Sequence, residues 1–245
     1  MSVGTSIGGL VRYAQGGEWR LRTDAVRDEH VKEVMEAHGF EKFEDLSRFI
    51  GPNWGMALFG AAFEDMVSRT FEDGNPEHEQ GNIVEVYLRR RGWKEKMLVK
   101  GYLTSLAESV PTLLEVLEVE PGRTVLVKDT LGADAGPVLV HEKTASTMVS
   151  PGDMLAGRLV ASGKKTVFGG GLLLYLPEAV TRLRSELEAR HGAGPLDRET
   201  LRAAAPLFSS IWLALHADEM ARERDAEAEE DTDSDAEGSA GPAGD

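Results

Sequence analysis

The chain has 245 residues, 41% of them apolar and 28% charged, which is the composition of a globular protein long enough to bury a core. It has no cysteine, which excludes disulfide scaffolds, thiol nucleophiles and cysteine-ligated metal centres and suits a reducing cytoplasm. Of the net charge of −15, nine uncompensated acids between Asp225 and Asp245 account for −9, so residues 1–224 carry only −6 and are not a general polyanion-binding surface.

In chain order, Met1–Gly17 shows no period and no charged-then-apolar signal, so residues 1–23 are read as a weakly ordered segment without a secretory leader. Within it, Glu18–Thr23 alternates Trp19 and Leu21 with Arg20 and Arg22, the pattern of a short edge strand. Residues 24–110 read as helical. Val31, Val34, Met35 and His38 share one face before Gly39, a natural C-terminal cap. Phe43, Leu46, Phe49 and Ile50 form the next face before Gly51-Pro52-Asn53. Phe59, Ala62, Phe63, Met66 and Val67 make a third stripe, closed by the loop signal Asp73-Gly74-Asn75-Pro76. Ile83, Val84, Tyr87 and Leu88 precede Arg89-Arg90-Arg91-Gly92, and Met97, Leu98, Tyr102 and Leu106 lead to Pro111.

The pattern then changes. Residues 111–176 hold five or six short β-rich runs with a turn about every ten residues: Leu114–Val119, Thr124–Asp129, Pro137–Glu142, Met154–Val160, Thr166–Phe168 and Gly171–Leu176. Helices return over 177–221, starting at Pro177, and 222–245 lacks large apolar residues and is expected to be a disordered acidic tail. The fold class is therefore α+β: a helical layer, a small antiparallel sheet or barrel, closing helices and a tail. The longest apolar run, Gly169–Leu176, falls far short of the ~20 residues of a membrane span, so a cytoplasmic protein with no membrane contact is expected.

Around Tyr87–Lys96, five cations lie within eight residues between two aromatics. Arg89, Arg90, Arg91, Trp93 and Lys94 could pair with phosphates and stack on bases, as single-stranded nucleic acid requires. The same residues could instead form a cationic helix end, or dock the acidic tail. Gly163-Lys164-Lys165-Thr166 fails as a phosphate loop. Five residues, not four, separate it from Gly157, and Lys165 occupies the hydroxyl position. It reads as a hairpin turn, and Gly169-Gly170-Gly171 as a bend or a close backbone approach. Pro151-Gly152-Asp153 turns into a strand holding Gly157 and Arg158. That is either a barrel corner or an arginine displayed on the sheet surface. The six histidines lack metal-site spacing, His216 with Glu219 being the nearest to a ligand pair, and no Gly-x-Ser-x-Gly elbow occurs. No metal or cofactor is expected.

The sequence from Leu114 through Glu118 to Pro121-Gly122, then Val125-x-Val127-x-Asp129 and Pro151-Gly152-Asp153-x-Leu155-x-Gly157-Arg158-Leu159, resembles uncharacterised bacterial proteins related to SEC-C-motif-containing proteins. The resemblance covers about residues 55–215 and rests on turns and apolar pattern. It implies no assigned activity. The family's zinc module, linked to nucleic-acid or translation machinery, is missing here, because no cysteine is present to form it.

The expected function is binding without chemistry, to nucleic acid through the basic strip or to a protein partner through the β module near Arg158 and the acidic tail. Whether the chain is an enzyme is left open; the alternative is a catalytic site around the β module, using His141, Asp129 and Glu142. Oligomeric state is not readable from any pattern in the chain.

Overall fold

The computed structural model describes residues 7–133 and 136–238, with side chains as far as Arg222. Four helices open it: α1 (Gly8–Ala14), α2 (Gly17–His38), α3 (Phe43–Ile50) and α4 (Pro52–Ser68). The edge strand expected at Glu18–Thr23 is instead the first turns of α2. Its buried residues Trp19, Arg22, Val26 and His30 recur at helical spacing, whereas Leu21 is left exposed. Arg22 mimics an outward strand residue in sequence but is buried by its partners. Its guanidinium lies 4.6 Å from the Trp19 ring centre and 5.1 Å from that of Phe71, and it donates to the Glu79 carbonyl at 2.6 Å and to Asp73 at 3.0 Å.

A two-stranded ribbon, β1 (Thr70–Phe71) with β2 (Gly81–Asn82), leads to α5 (Ile83–Arg91), a 3-10 turn (Gly92–Lys94) and α6 (Met97–Glu108). Seven further strands form one sheet: β3 (Thr112–Glu120), β4 (Thr124–Asp129), β5 (Val138–Val140), β6 (Met154–Gly157), β7 (Leu159–Ser162), β8 (Lys165–Phe168) and β9 (Leu173–Tyr175). Their spatial order is β7-β8-β5-β4-β3-β6-β9. Every neighbouring pair is antiparallel except β5 with β8, so the expected antiparallel sheet is a mixed one.

The strand expected over Met154–Val160 is split. β6 and β7 are joined by Arg158 alone, yet they lie near opposite ends of the strand order. A one-residue link between distant sheet positions requires the sheet to curl until those positions meet. Arg158 therefore sits at the seam, where its carbonyl accepts from the Gly169 amide at 2.9 Å. Gly157 packs closely there, since a Cβ would stand 2.8 Å from Leu172 Cδ1 and displace that side chain.

The chain closes with α7 (Pro177–His191), α8 (Arg198–Ala203) and α9 (Ala205–Gly238). Apolar residues from both sides of Pro111 pack together. Val160 and Val167 join the cluster of α1, α4, α5 and α6, while Leu113, Ala156, Leu173 and Tyr175 join that of α2, α3, α7 and α9. A third cluster, including Leu114, Val116, Val127 and Phe168, is formed by the sheet. Of the expected acidic tail, 222–245, the backbone to Gly238 continues α9, and residues 239–245 lie outside the described residues. Helix α9 runs parallel to α2, His30 meeting Ser209 and His38 meeting Asp218.

Candidate functional site

Asn82 starts α5 by accepting from the Val84 amide at 2.8 Å, and it ties the helix to α4 by donating to the Val67 carbonyl. Tyr87 and Ile83 are buried, so the helix turns its apolar face inward and its C-terminal arginines outward. The Tyr87 hydroxyl donates to Glu95, which lies just past the 3-10 turn. Burial, with Glu95 beside it, pushes that hydroxyl up to about 12. Tyr87 is thus a core residue and Glu95 is taken up by it.

The five residues expected to form one contact strip are divided by the fold. Arg90 pairs with Glu79, which also accepts from the Tyr13 hydroxyl at 2.5 Å and from Trp19 Nε1 at 2.8 Å. Burial and then the Glu79 hydrogen bond push the Tyr13 hydroxyl up to about 12. Arg91 lies 5.9 Å from the centre of the Tyr13 ring. These contacts line a cleft of about 810 Å³ between α1, the start of α2 and α5. Its cations Arg12, Arg90, Arg91 and Lys94 face an equal number of acids, Glu18, Glu77, Glu79 and Glu95, so the cleft is electrically balanced. Arg90 and Arg91 hold α5 to α1 and to the loop before β2, as cations at a helix C-terminus can.

Arg89, Trp93 and Lys94 remain on the surface. Trp93 is 77% exposed, and the Lys94 ammonium lies 4.9 Å from its ring centre. Beside them lie exposed Lys96, counted among the five cations but not placed in the strip, and two apolar side chains that sequence reasoning missed, Met97 and Leu98, 80% and 59% exposed. Their helical stripe reads as core, but only Tyr102, Leu103 and Leu106 of α6 are buried. Of the large apolar side chains left exposed among the described residues, three fall within these six positions. Arg89 and Lys96 make no ion pair among the described residues.

Docking of the chain's own acidic segment at this corner is opposed by geometry. The cleft beside the corner is built on the first residues of α2, whereas α9 leaves the body at the far end of α2, where His38 meets Asp218. The 22 residues of α2 separate the two by about 33 Å, and α9 continues away.

Arg158 is not on the sheet surface. It is 3% exposed, and its expected role as a displayed contact is corrected by its position at the seam. Its Nη1 donates to the Ser109 carbonyl at 2.6 Å and its Nη2 stands 3.6 Å from Asp65. Burial holds its guanidinium below the ordinary arginine value, an effect that Glu64 and Asp65 offset only in part. Glu64 accepts from the Gly170 amide, and burial pushes its carboxyl above the ordinary range. Asp65 meets His30 Nε2 at 3.1 Å and Arg69 at 2.6 Å. Burial would raise its carboxyl, but these partners hold it below the usual range. The triple glycine approaches α4 rather than a ligand, because a Cβ on Gly171 would stand 2.2 Å from the Ala61 amide nitrogen.

This buried cluster contains a serine, histidine and aspartate in contact, since Ser209 Oγ lies 2.8 Å from His30 Nδ1. It is not arranged for nucleophilic catalysis. All three are essentially inaccessible, and the adjoining cavity of about 20 Å³ holds no more than one water. The ring is also turned round, with Nδ1 toward serine and Nε2 toward aspartate, the reverse of the working triad. The cluster joins α2, α4, α9 and the sheet seam.

The residues proposed for a catalytic β module are engaged locally. Asp129 accepts from the Thr112 hydroxyl and from the Leu131 and Gly132 amides, and Glu142 accepts from the Thr144 amide. The backbone of His141 is held in the sheet, its amide donating to the Thr166 carbonyl, and no contact brings its ring to Asp129 or Glu142 among the described residues. His216 stacks on Trp212 at 5.0 Å. Among the described residues no three acidic or histidine side chains gather as a metal site, and no helix is long and apolar enough to cross a membrane. No protein-family model, curated protein or solved structure matches the chain, so the resemblance to SEC-C-related proteins rests on the residues that carry it.

Proposed function

We propose that the chain binds single-stranded nucleic acid at the α5–α6 corner and performs no chemistry on it. The observation that carries this reading is Trp93, 77% exposed, with Lys94 against its ring and Arg89 and Lys96 nearby. A large aromatic left in water among unpaired cations offers stacking and phosphate neutralisation together. The body as a whole is mildly acidic, which disfavours general contact with polyanions and leaves it to local clusters of cations such as this one.

The test is fluorescence anisotropy with mixed-sequence single-stranded RNA and DNA at two salt concentrations. Arg89→Ala/Lys94→Ala/Lys96→Ala is expected to abolish binding and Trp93→Ala to weaken it by about tenfold, a stack being worth about 1–3 kcal/mol. No wild-type binding at low salt would sink the proposal.

Met97 and Leu98 favour a second reading, docking of a protein with an acidic, partly apolar surface, because exposed methionine and tryptophan rimmed by cations are also common at protein interfaces. A Trp93-dependent partner in pull-downs, combined with no oligonucleotide binding, would favour it.

A further inference from the structure

The corner does not end at α6. Helix α6 packs along β7, with the Ala161 amide donating to Ser105 Oγ at 2.8 Å. Nearer the start of α6, Leu98 reaches the β7–β8 turn, its Cδ1 lying 3.2 Å from where a Cβ on Gly163 would stand. The Ser162↔Lys165 pairing makes this a two-residue turn, and Gly163 adopts φ +65°, a value suited to glycine. Lys164, in the turn, and Lys165, the first residue of β8, thus lie by the exposed N-terminal end of α6. Both lysines are exposed, and neither makes an ion pair among the described residues. On the other side of the corner Glu95, between Lys94 and Lys96 in sequence, is already taken by Tyr87.

We infer that Lys164 and Lys165 form the second half of the same contact, so that one single strand runs from Arg89 and Lys94, over Trp93, Met97 and Leu98, to the β7–β8 hairpin. This inference rests on the proposed nucleic-acid reading and names its ligand more closely. Two groups of cations flank an apolar centre, which matches a backbone crossing both ends while its bases lie on the middle. A duplex keeps its bases stacked inside and cannot offer them to Trp93 or Leu98, so the ligand is unpaired and long enough to span both groups. The Lys164-Lys165 pair, which fails as a phosphate loop on spacing, then contacts phosphates by charge alone.

The experiment compares oligonucleotides of about 4 and about 12 nucleotides, a short and a long length within the range of about 4–16 nucleotides covered by small single-strand-binding folds. Wild type, Lys164→Ala/Lys165→Ala and the Arg89/Lys94/Lys96 variant are titrated with each, and with a duplex of the longer sequence. The hairpin variant is expected to lose about tenfold in affinity for the longer strand and little for the shorter. Its salt slope should fall by about 1.4, two phosphate contacts at about 0.7 each. If the hairpin variant binds the longer strand as wild type does while the α5–α6 variant does not, the inference fails and the proposed function stands. Equal affinity of wild type for duplex and single strand also overturns the inference. Binding of neither length by wild type removes the proposed function itself, and the inference with it.

Discussion

The seam and the α5–α6 corner both gather cations beside aromatic or acidic groups, and they differ in how those charges are satisfied. At the seam, Arg158 is set against Asp65 and Arg69 against Asp65 and Glu29, His30 bridges Asp65 to Ser209, and most of the cluster is sealed from solvent. At the corner, Arg90 and Arg91 are drawn into internal contacts while Arg89, Lys94 and Lys96 stay in water around Trp93. Buried charges survive only with partners, so a compensated cluster is evidence for architecture. Unpaired charge next to an exposed tryptophan has no such architectural explanation, which is why the functional proposal is placed there.

Three measurements sharpen this contrast. The largest effect is expected at the seam. Asp65→Ala removes the shared partner of His30, Arg69 and Arg158 and should cost about 3–5 kcal/mol in denaturant unfolding, the range for breaking a buried ion pair. A loss below about 1 kcal/mol would mean that the seam is hydrated and relaxes freely.

A smaller effect concerns pH. Because burial raises the Glu64 carboxyl above its usual value of 4.5, the native state retains a proton that the unfolded chain releases above that pH. Stability from this group is therefore full below pH 4.5 and is lost as pH rises toward the native value, after which it levels off. Glu64→Gln should flatten that part of the stability profile, measured by urea unfolding between pH 5 and 8. An unchanged slope would show that the carboxyl is ionised in the native protein.

The smallest effect on stability is expected at the corner. Arg89→Ala/Lys94→Ala/Lys96→Ala should stay within about 0.5 kcal/mol of wild type, as surface changes do. Arg90→Ala should lose at most about 1 kcal/mol through its half-exposed pair with Glu79, yet leave oligonucleotide affinity within about twofold. If Arg90→Ala abolishes binding while Arg89→Ala/Lys94→Ala/Lys96→Ala does not, the ligand occupies the cleft rather than the outer face.

Much of the architecture was legible in the chain. The stripe of Phe63, Met66 and Val67, the Gly39 cap, the break at Gly51-Pro52 and the β-branched runs after Pro111 each record one element's contact with the core, and local period encodes that contact. The α+β class followed from them. The first turns of α2 were misread because Trp19-Arg20-Leu21-Arg22 alternates like a strand. Only the contacts of Arg22 with Phe71, Asp73 and Glu79 show why an arginine belongs on the buried face. The basic strip could be found in sequence, but not its division. By itself, the sequence determined where cations and apolar residues are dense. The tertiary structure decided which of them are satisfied: that Arg158 meets Asp65 inside, that Arg90 meets Glu79, and that Lys164 and Lys165 arrive beside α6 unpaired. The reason is that a charge's partner is set by distance in space, and the residues that neutralise or expose these groups lie on other elements of the fold.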